Sequence, residues 1–153
     1  MDRREPIRPP VGDFPRSLRD WFVAVCNALN PVWKDWTPTF PGETMTFTGT
    51  TILIARYCIR GKVCHWSLCA SGTLGGVATT SIDFTLPVAQ KDYGGVATPF
   101  IGGLQTNDGG AVIAGVCVAD QGAATARAYR YDGGNWNLAA GRWFQASGSY
   151  EIE

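Results

Sequence analysis

The sequence predicts an all-β protein: an antiparallel β-sandwich of jelly-roll type, preceded by an extended arm and one short α-helix. Its composition, with 19 glycines and only 17% charged residues, favours short strands and tight turns over helices. From residue 36 onward, turn-forming sequences recur roughly every ten residues, and the segments between them are rich in β-formers. With 153 residues, 45% of them hydrophobic, the chain can bury one core without metals or disulfides.

Residues 1–12 are predicted to form the extended arm. They include three arginines and three prolines, which disfavour a helix and leave little apolar surface to bury: Arg3, Arg4, Pro6, Arg8, Pro9 and Pro10. The arm lacks the apolar stretch of a signal peptide, and no later stretch is apolar over the roughly 18 residues that a membrane span needs. We therefore expect synthesis in the cytoplasm and no membrane insertion.

Residues 13–31 are predicted to form the helix. Asp13 is a capping residue, Pro15 suits the first turn, and Pro31 ends the segment. Four apolar residues on one face follow the 4-3-4 spacing of a coiled-coil seam for less than two heptads: Leu18, Phe22, Val25 and Leu29. This face serves either for trimerisation or attachment between chains, or for packing on the helix's own domain.

Residues 36–153 are predicted to form the β-sandwich domain. Alternating β-formers over 44–48 and 50–59, a turn at 60–62 and a returning strand over 63–70 indicate a hairpin. The glycine-rich segment 71–76 is predicted to be a loop. Further strands are expected at 81–86, 100–105, 111–118, 124–131 and 146–152, separated by Gly, Asn and Asp turns.

The cysteines are predicted to be free thiols in the core, because four of the five lie in apolar runs. Cys58, Cys64, His65 and Cys69 come nearest to a metal cluster. However, Cys64 and His65 are neighbours on a predicted strand and point to opposite faces, and the spacing does not match a structural zinc site. The sequence thus favours free thiols over zinc or a Cys58–Cys64 disulfide, and predicts no cofactor.

The residues with catalytic chemistry do not form a recognisable constellation. His65 is the single histidine, and its neighbour Cys64 diverges from it on a strand, so a Cys-His nucleophile pair is not expected. Five aspartates are candidates for a glycosidase pair, but four lie in or beside turns, where Asp is favoured for local backbone bonds: Asp83, Asp92, Asp108, Asp120 and Asp132. We predict that the protein is not an enzyme.

Aromatic residues in or near predicted loops are the candidate ligand-binding residues. They are Tyr93, Tyr129, Tyr131 and Trp136. An exposed aromatic ring can stack on a sugar or pack on a protein partner, although cores and subunit interfaces use aromatics too. Thirteen basic residues balance thirteen acidic ones, so no positive field predicts a nucleic-acid partner.

Several motifs between Trp36 and the end of the chain resemble the C-terminal domains of bacteriophage tail fibres and virion fibres. A Trp-Thr-Pro opening at 36–38 precedes Ala-Arg-Tyr-Cys-Ile-Arg-Gly-Lys-Val at 55–63. Ser-Gly-Thr at 71–73 and Ile-Asp-Phe-Thr-Leu-Pro at 82–87 follow, and Ala-Ser-Gly-Ser-Tyr-Glu at 146–151 is similar to the closing strand of those domains. The resemblance implies a compact β-sandwich that trimerises about a three-fold axis.

From this resemblance we expect a structural protein of the virion: a homotrimeric fibre tip or spike that binds a glycan or protein of the host surface. Residues 1–30 are expected to attach it to another virion protein. A capsid decoration or head-fibre protein that stabilises the shell is an alternative, and a carbohydrate-binding module of a non-viral protein is another. A likeness of fold does not name a receptor.

Overall fold

The computed structural model describes residues 16–29, 31–42, 44–95, 99–108 and 110–153. In these ranges the elements are α1 (Arg16–Leu29), β1 (Lys34–Asp35), β2 (Met45–Arg60), β3 (Val63–Gly76), β4 (Ser81–Thr85), β5 (Phe100–Asp108), β6 (Ala111–Ala119), β7 (Thr125–Arg130) and β8 (Arg142–Glu151). The prediction of an all-β protein with one short helix is confirmed. The predicted arm, residues 1–12, lies outside the described residues.

The chain divides into two compact units, Met1–Val32 with α1 and Trp33–Glu153 with the strands. The described helix, Arg16–Leu29, lies within the predicted range 13–31, of which residues 13–15 and 30 lie outside the described residues. Its apolar face is partly exposed to solvent. Leu18 is 38% exposed and Trp21 59% exposed, whereas Phe22 and Val25 are half-buried. The Leu29 side chain lies outside the described part of the chain. No helix among the described residues is long and apolar enough to cross a membrane.

All the described strands belong to one antiparallel sheet in the order β1-β2-β3-β8-β5-β6-β7-β4. The predicted arrangement of two sheets in a sandwich is not confirmed, since hydrogen bonds join every neighbouring pair in this order. The hairpin β2–β3 turns where predicted, with Gly61 at a φ of 57°. Strand β8, the last in the chain, lies between β3 and β5 and thereby joins the hairpin to the other strands.

The predicted loop 71–76 is wrong, because this segment continues β3 and pairs with the first part of β2. In this segment, Gly72 allows a side chain of β2 to pack closely on the strand. A Cβ on Gly72 would lie 2.9 Å from Cε2 of Phe47, so the ring packs directly on the strand backbone. Strand β8 also begins earlier than predicted, at Arg142. Strand β1 was not predicted, because its two exposed residues show no alternation of apolar and polar side chains.

The sheet curves over its core, so that an edge strand packs on the central strands. Phe84 of β4 lies 5.6 Å from Trp66 of β3 and 6.2 Å from Phe144 of β8, measured between ring centroids. At the same edge, the backbone N–H of Thr85 donates to the carbonyl of Thr39 at 2.9 Å. The three aromatic side chains are fully buried. Together with Trp136 they are the largest fully buried side chains among the described residues.

The central strands β8 and β5 approach each other closely at two facing glycines. Gly148 of β8 pairs with Trp66 of β3 on one side and with Gly102 of β5 on the other. A Cβ on Gly148 would lie 1.9 Å from the carbonyl oxygen of Ile101 and 2.5 Å from Cα of Gly102. Since backbone atoms cannot move aside as a flexible side chain can, only glycine fits at this position.

We predict that Gly148→Ala lowers the free energy of unfolding by about 3 kcal/mol or more, because the added methyl group overlaps backbone atoms. Gly103→Ala on β5 is the matched control, because its Cβ would lie 4.0 Å from the nearest atom, the Gly115 carbonyl oxygen. The control is expected to raise stability by roughly 0.5 kcal/mol through lower chain entropy. Urea unfolding measures both, and equal stability of the two variants would contradict the close approach.

Candidate functional site

In the middle of β8, β5 and β6, the face that points away from the core carries two rows of uncharged side chains. In one row Gln145 faces Gln105, which faces Ala114. In the next row Ser147 faces Gly103, which faces Val116. Along β8 and β5 these positions alternate with buried residues: Phe144, Ala146, Leu104 and Thr106. Because successive side chains of a strand point to opposite faces, both rows lie on the outer face of the sheet.

A shallow depression lies at the centre of this outer face. Its volume is about 280 Å³, and it is lined by Gly103, Gln105, Gln145 and Ser147 together with Leu104. Gly103 has no side chain to fill the space between its neighbours, and the two amides and the hydroxyl are exposed. We call Gly103, Gln105, Gln145 and Ser147 the glutamine depression. It offers hydrogen-bond donors and acceptors without a formal charge.

Tyr131, at the end of β7, continues the row formed by Gln145, Gln105 and Ala114. Its backbone N–H donates to the carbonyl oxygen of Ala114 at 2.9 Å, which continues the pairing of β6 and β7 by one residue. Tyr131 is 83% exposed, the largest exposure among the described large hydrophobic side chains. Ala114 of β6 separates Tyr131 from Gln105, so the exposed ring and the depression are two strands apart across the sheet.

The turn around Tyr131 is fixed by an arginine-aspartate pair. Arg130 donates to Asp132 twice, from Nε to Oδ1 at 3.0 Å and from Nη2 to Oδ2 at 2.5 Å. Its Nη1 also donates to the carbonyl oxygen of Asn135 at 2.7 Å, while Asp132 Oδ1 accepts the N–H of Gly134 at 3.0 Å. These contacts lower the pKa of Asp132, the hydrogen bond from Arg130 being the main cause. Tyr131 lies between the paired residues, so its backbone is held on both sides.

Of the four predicted ligand-binding aromatics, the structure brings together Tyr129 and Tyr131. Tyr129 is half-buried on the outer face of β7, opposite Val116, and Arg127 Nη1 lies 3.5 Å from its hydroxyl. Trp136, in contrast, is only 2% exposed and belongs to the core. Its prediction as an exposed ring is wrong, because the segment after the turn folds inward and covers the core. The backbone N–H of Trp136 donates to the carbonyl oxygen of Thr79 at 2.9 Å.

Tyr93 lies at the other end of the strands from Tyr131. It is 48% exposed, its hydroxyl lies 3.3 Å from Glu151 Oε2, and its N–H donates to Gln121 in the β6–β7 turn. Lys91 Nζ lies 2.7 Å from Glu151 Oε1 and 5.5 Å from the centroid of the Tyr93 ring. The hydrogen bond from Lys91 lowers the pKa of Glu151. These contacts attach the 90–95 loop to β8, and we assign Tyr93 to that role.

The thiols and the histidine do not converge on one site. Cys64 and Cys117 are buried in the core, and burial raises the pKa of Cys117 to about 12. Cys58 faces His65 across the β2–β3 ladder, whereas Cys64 faces Ile59 on the opposite face of the sheet. The four cysteines with described side chains are free: Cys58, Cys64, Cys69 and Cys117. Within the described ranges, no three His, Cys, Asp or Glu side chains group as metal ligands do.

The sequence analysis did not predict Gln105 and Gln145 as ligand-binding residues, because an outward-facing glutamine is common on strands. What makes them notable is the register that sets Gln105 against Gln145, residues 40 positions apart in sequence. Comparison with protein-family models, with curated proteins and with solved structures finds no match to this chain. The fold and the site define a class in physical terms: an all-β domain with an uncharged depression on its outer face and an exposed tyrosine two strands away.

We predict that the order of the Tyr131 turn is lost in acid. A carboxylate whose pKa is lowered in the folded state contributes its stabilisation above the unfolded pKa and loses it as the pH falls through the folded pKa. Asp132 therefore pairs with Arg130 at neutral pH and releases it below the usual Asp range. An NMR pH titration should show the Tyr131 and Gly134 amide signals shifting together in that range.

The variant Asp132→Asn should abolish this transition and give the acid-state signals at neutral pH. Asp92→Asn is the matched control, because Asp92 also accepts a turn N–H, from Gly94 at 2.8 Å, in a different loop. Signals of Tyr131 that stay constant throughout the acid titration would contradict the role of the pair.

Proposed function

We propose that this protein is a structural binding protein of a bacteriophage virion, a homotrimeric fibre tip or spike that contacts the host surface without turnover. The single observation that carries the trimer is the partly exposed apolar face of α1, on a unit separate from the strands. The motifs between Trp36 and the end of the chain support the virion class through their resemblance to fibre domains.

The helix needs partners to be stable. An isolated helix shorter than about 12–15 residues is marginal in water, and α1 has 14 residues. Leu18, Phe22 and Val25 lie within one narrow arc, since residues three and four apart share a helix face. Other copies of the same helix cover this face by knobs-into-holes packing, because the spacing matches a coiled-coil seam.

The outer face of the sheet supports the binding role. The Arg130–Asp132 pair orders the backbone of the turn that carries the exposed Tyr131, so this turn need not be ordered when a ligand binds. In a trimer three such faces act together, and weak individual contacts become a useful avidity. Residues 1–30 are proposed to attach the trimer to another virion protein.

For wild-type protein we predict a solution mass of about 50 kDa by light scattering, three times the 16.5 kDa of one chain. Phe22→Asp and Val25→Asp each place a charge in the seam and should give the mass of a single chain. Val23→Asp is the matched control, since it makes a similar change on the opposite side of the helix, where Val23 is exposed. The control should keep the trimer mass.

A monomeric wild-type protein, or a Val23→Asp variant that dissociates like Phe22→Asp, would contradict the seam. The virion assignment has its own test, antibody labelling of purified particles viewed by electron microscopy. Labelling at fibre tips or spikes is expected. Label over the whole shell would indicate a capsid decoration protein instead of a fibre tip. Particles without label would contradict the virion role.

A further inference from the structure

We infer that the glutamine depression and Tyr131 form one binding site for an uncharged oligosaccharide. This inference rests on the proposed function and deepens it, because it names the ligand class that the β-domain takes. It assigns the contacts to Gln105, Gln145, Ser147 and Tyr131, of which only Tyr131 was expected from the sequence.

The chemistry of the two rows selects a neutral, hydroxyl-rich ligand. Each glutamine amide has both donor and acceptor atoms, and the Ser147 hydroxyl has both as well, which matches the hydroxyl groups of a sugar. Across β3, β8, β5 and β6 the rows contain no formally charged side chain: Cys69, Gln145, Gln105 and Ala114 in one, and Ser67, Ser147, Gly103 and Val116 in the other. None of the four residues of the glutamine depression is cationic, so a phosphate or carboxylate bound in it would have no ionic partner among them.

The shape favours an extended ligand over a compact one. Gln145, Gln105, Ala114 and Tyr131 follow one another across four neighbouring strands. With strands about 4.8 Å apart, this row is roughly 15 Å long, enough for several sugar units. The depression is shallow, and its floor at Gly103 lets a ring approach the backbone of β5. A flat, polar groove of this kind suits an oligosaccharide.

Tyr131 supplies the apolar contact at the end of the row. The C–H face of a sugar ring stacks on an aromatic ring, while the amides bind the hydroxyl groups at the ring's edge. Because Arg130 and Asp132 pair across the turn, the backbone that carries Tyr131 is ordered before any ligand arrives. A protein partner is favoured less, since the depression itself offers no large apolar anchor.

The test starts with the full-length protein on an array of oligosaccharides. Neutral chains of glucose, galactose, mannose, rhamnose and N-acetylglucosamine are printed beside sialylated and uronic-acid chains. We expect binding to a neutral chain, and its Kd is then measured by calorimetry. Tyr131→Ala should weaken this Kd at least tenfold, whereas Tyr93→Ala, the control at the other end of the strands, should leave it within twofold.

A second variant fills the depression without disturbing the backbone. Gly103 has an ordinary strand conformation and open space at its Cβ position, so Gly103→Val should fold as the wild type does. It should also abolish binding. Ser149→Val, on the same outer face of β8 but outside the depression, is the matched control and should bind normally. Circular dichroism and Tm confirm that both variants fold.

Three results would each overturn the inference: no neutral chain bound at millimolar concentration, binding to anionic chains only, or binding that survives both Gly103→Val and Tyr131→Ala. A change in solution mass with Gly103→Val would also overturn it, because the face would then be an interface between copies. The proposed function fails separately. The monomeric Phe22→Asp variant should keep the Kd for a single site, so loss of the trimer and loss of the sugar site are distinguishable.

Discussion

The close approach of β8 to β5 is the constraint on which the rest of the structure depends. Among the described strands, β8 is the one that bonds to both the β2–β3 hairpin and the β5–β6–β7–β4 group. At Gly148 and Gly102 the two backbones are so near that a single added carbon would overlap them. This contact fixes the register, and a slip of one residue would turn the core side chains of β8 to the outside.

The candidate site is a consequence of that register. Gln105 and Gln145 face each other only because Gly102 and Gly148 are paired on the same two strands. The inward side of these strands holds Phe144 in the aromatic core, and the outward side holds the glutamine depression. The outer face of these strands therefore shares its backbone with the core, and the Arg130–Asp132 pair bonds across the turn that carries Tyr131.

The sequence predicted those features of the fold that depend on residues adjacent in the chain. The β2–β3 hairpin and its turn were predicted, because alternation and a glycine at positive φ are properties of adjacent residues. Residues 71–76 were misassigned as a loop, because glycine signals both turns and close packing. Trp136 was misplaced for a similar reason, since a loop position does not reveal whether the loop covers a core. The exposure of Tyr131 was predicted because turn residues surround it, and the residue is 83% exposed.

The sequence by itself determined that this is an all-β protein with one amphipathic helix, since periodicity and turn composition are read along the chain. Only the tertiary structure decided that the strands form one curved sheet, that the last strand lies at its centre, and that two glutamines and a tyrosine share a face. These features depend on pairings between residues far apart in sequence. Such pairings are selected by the packing of the whole core, which no local pattern encodes.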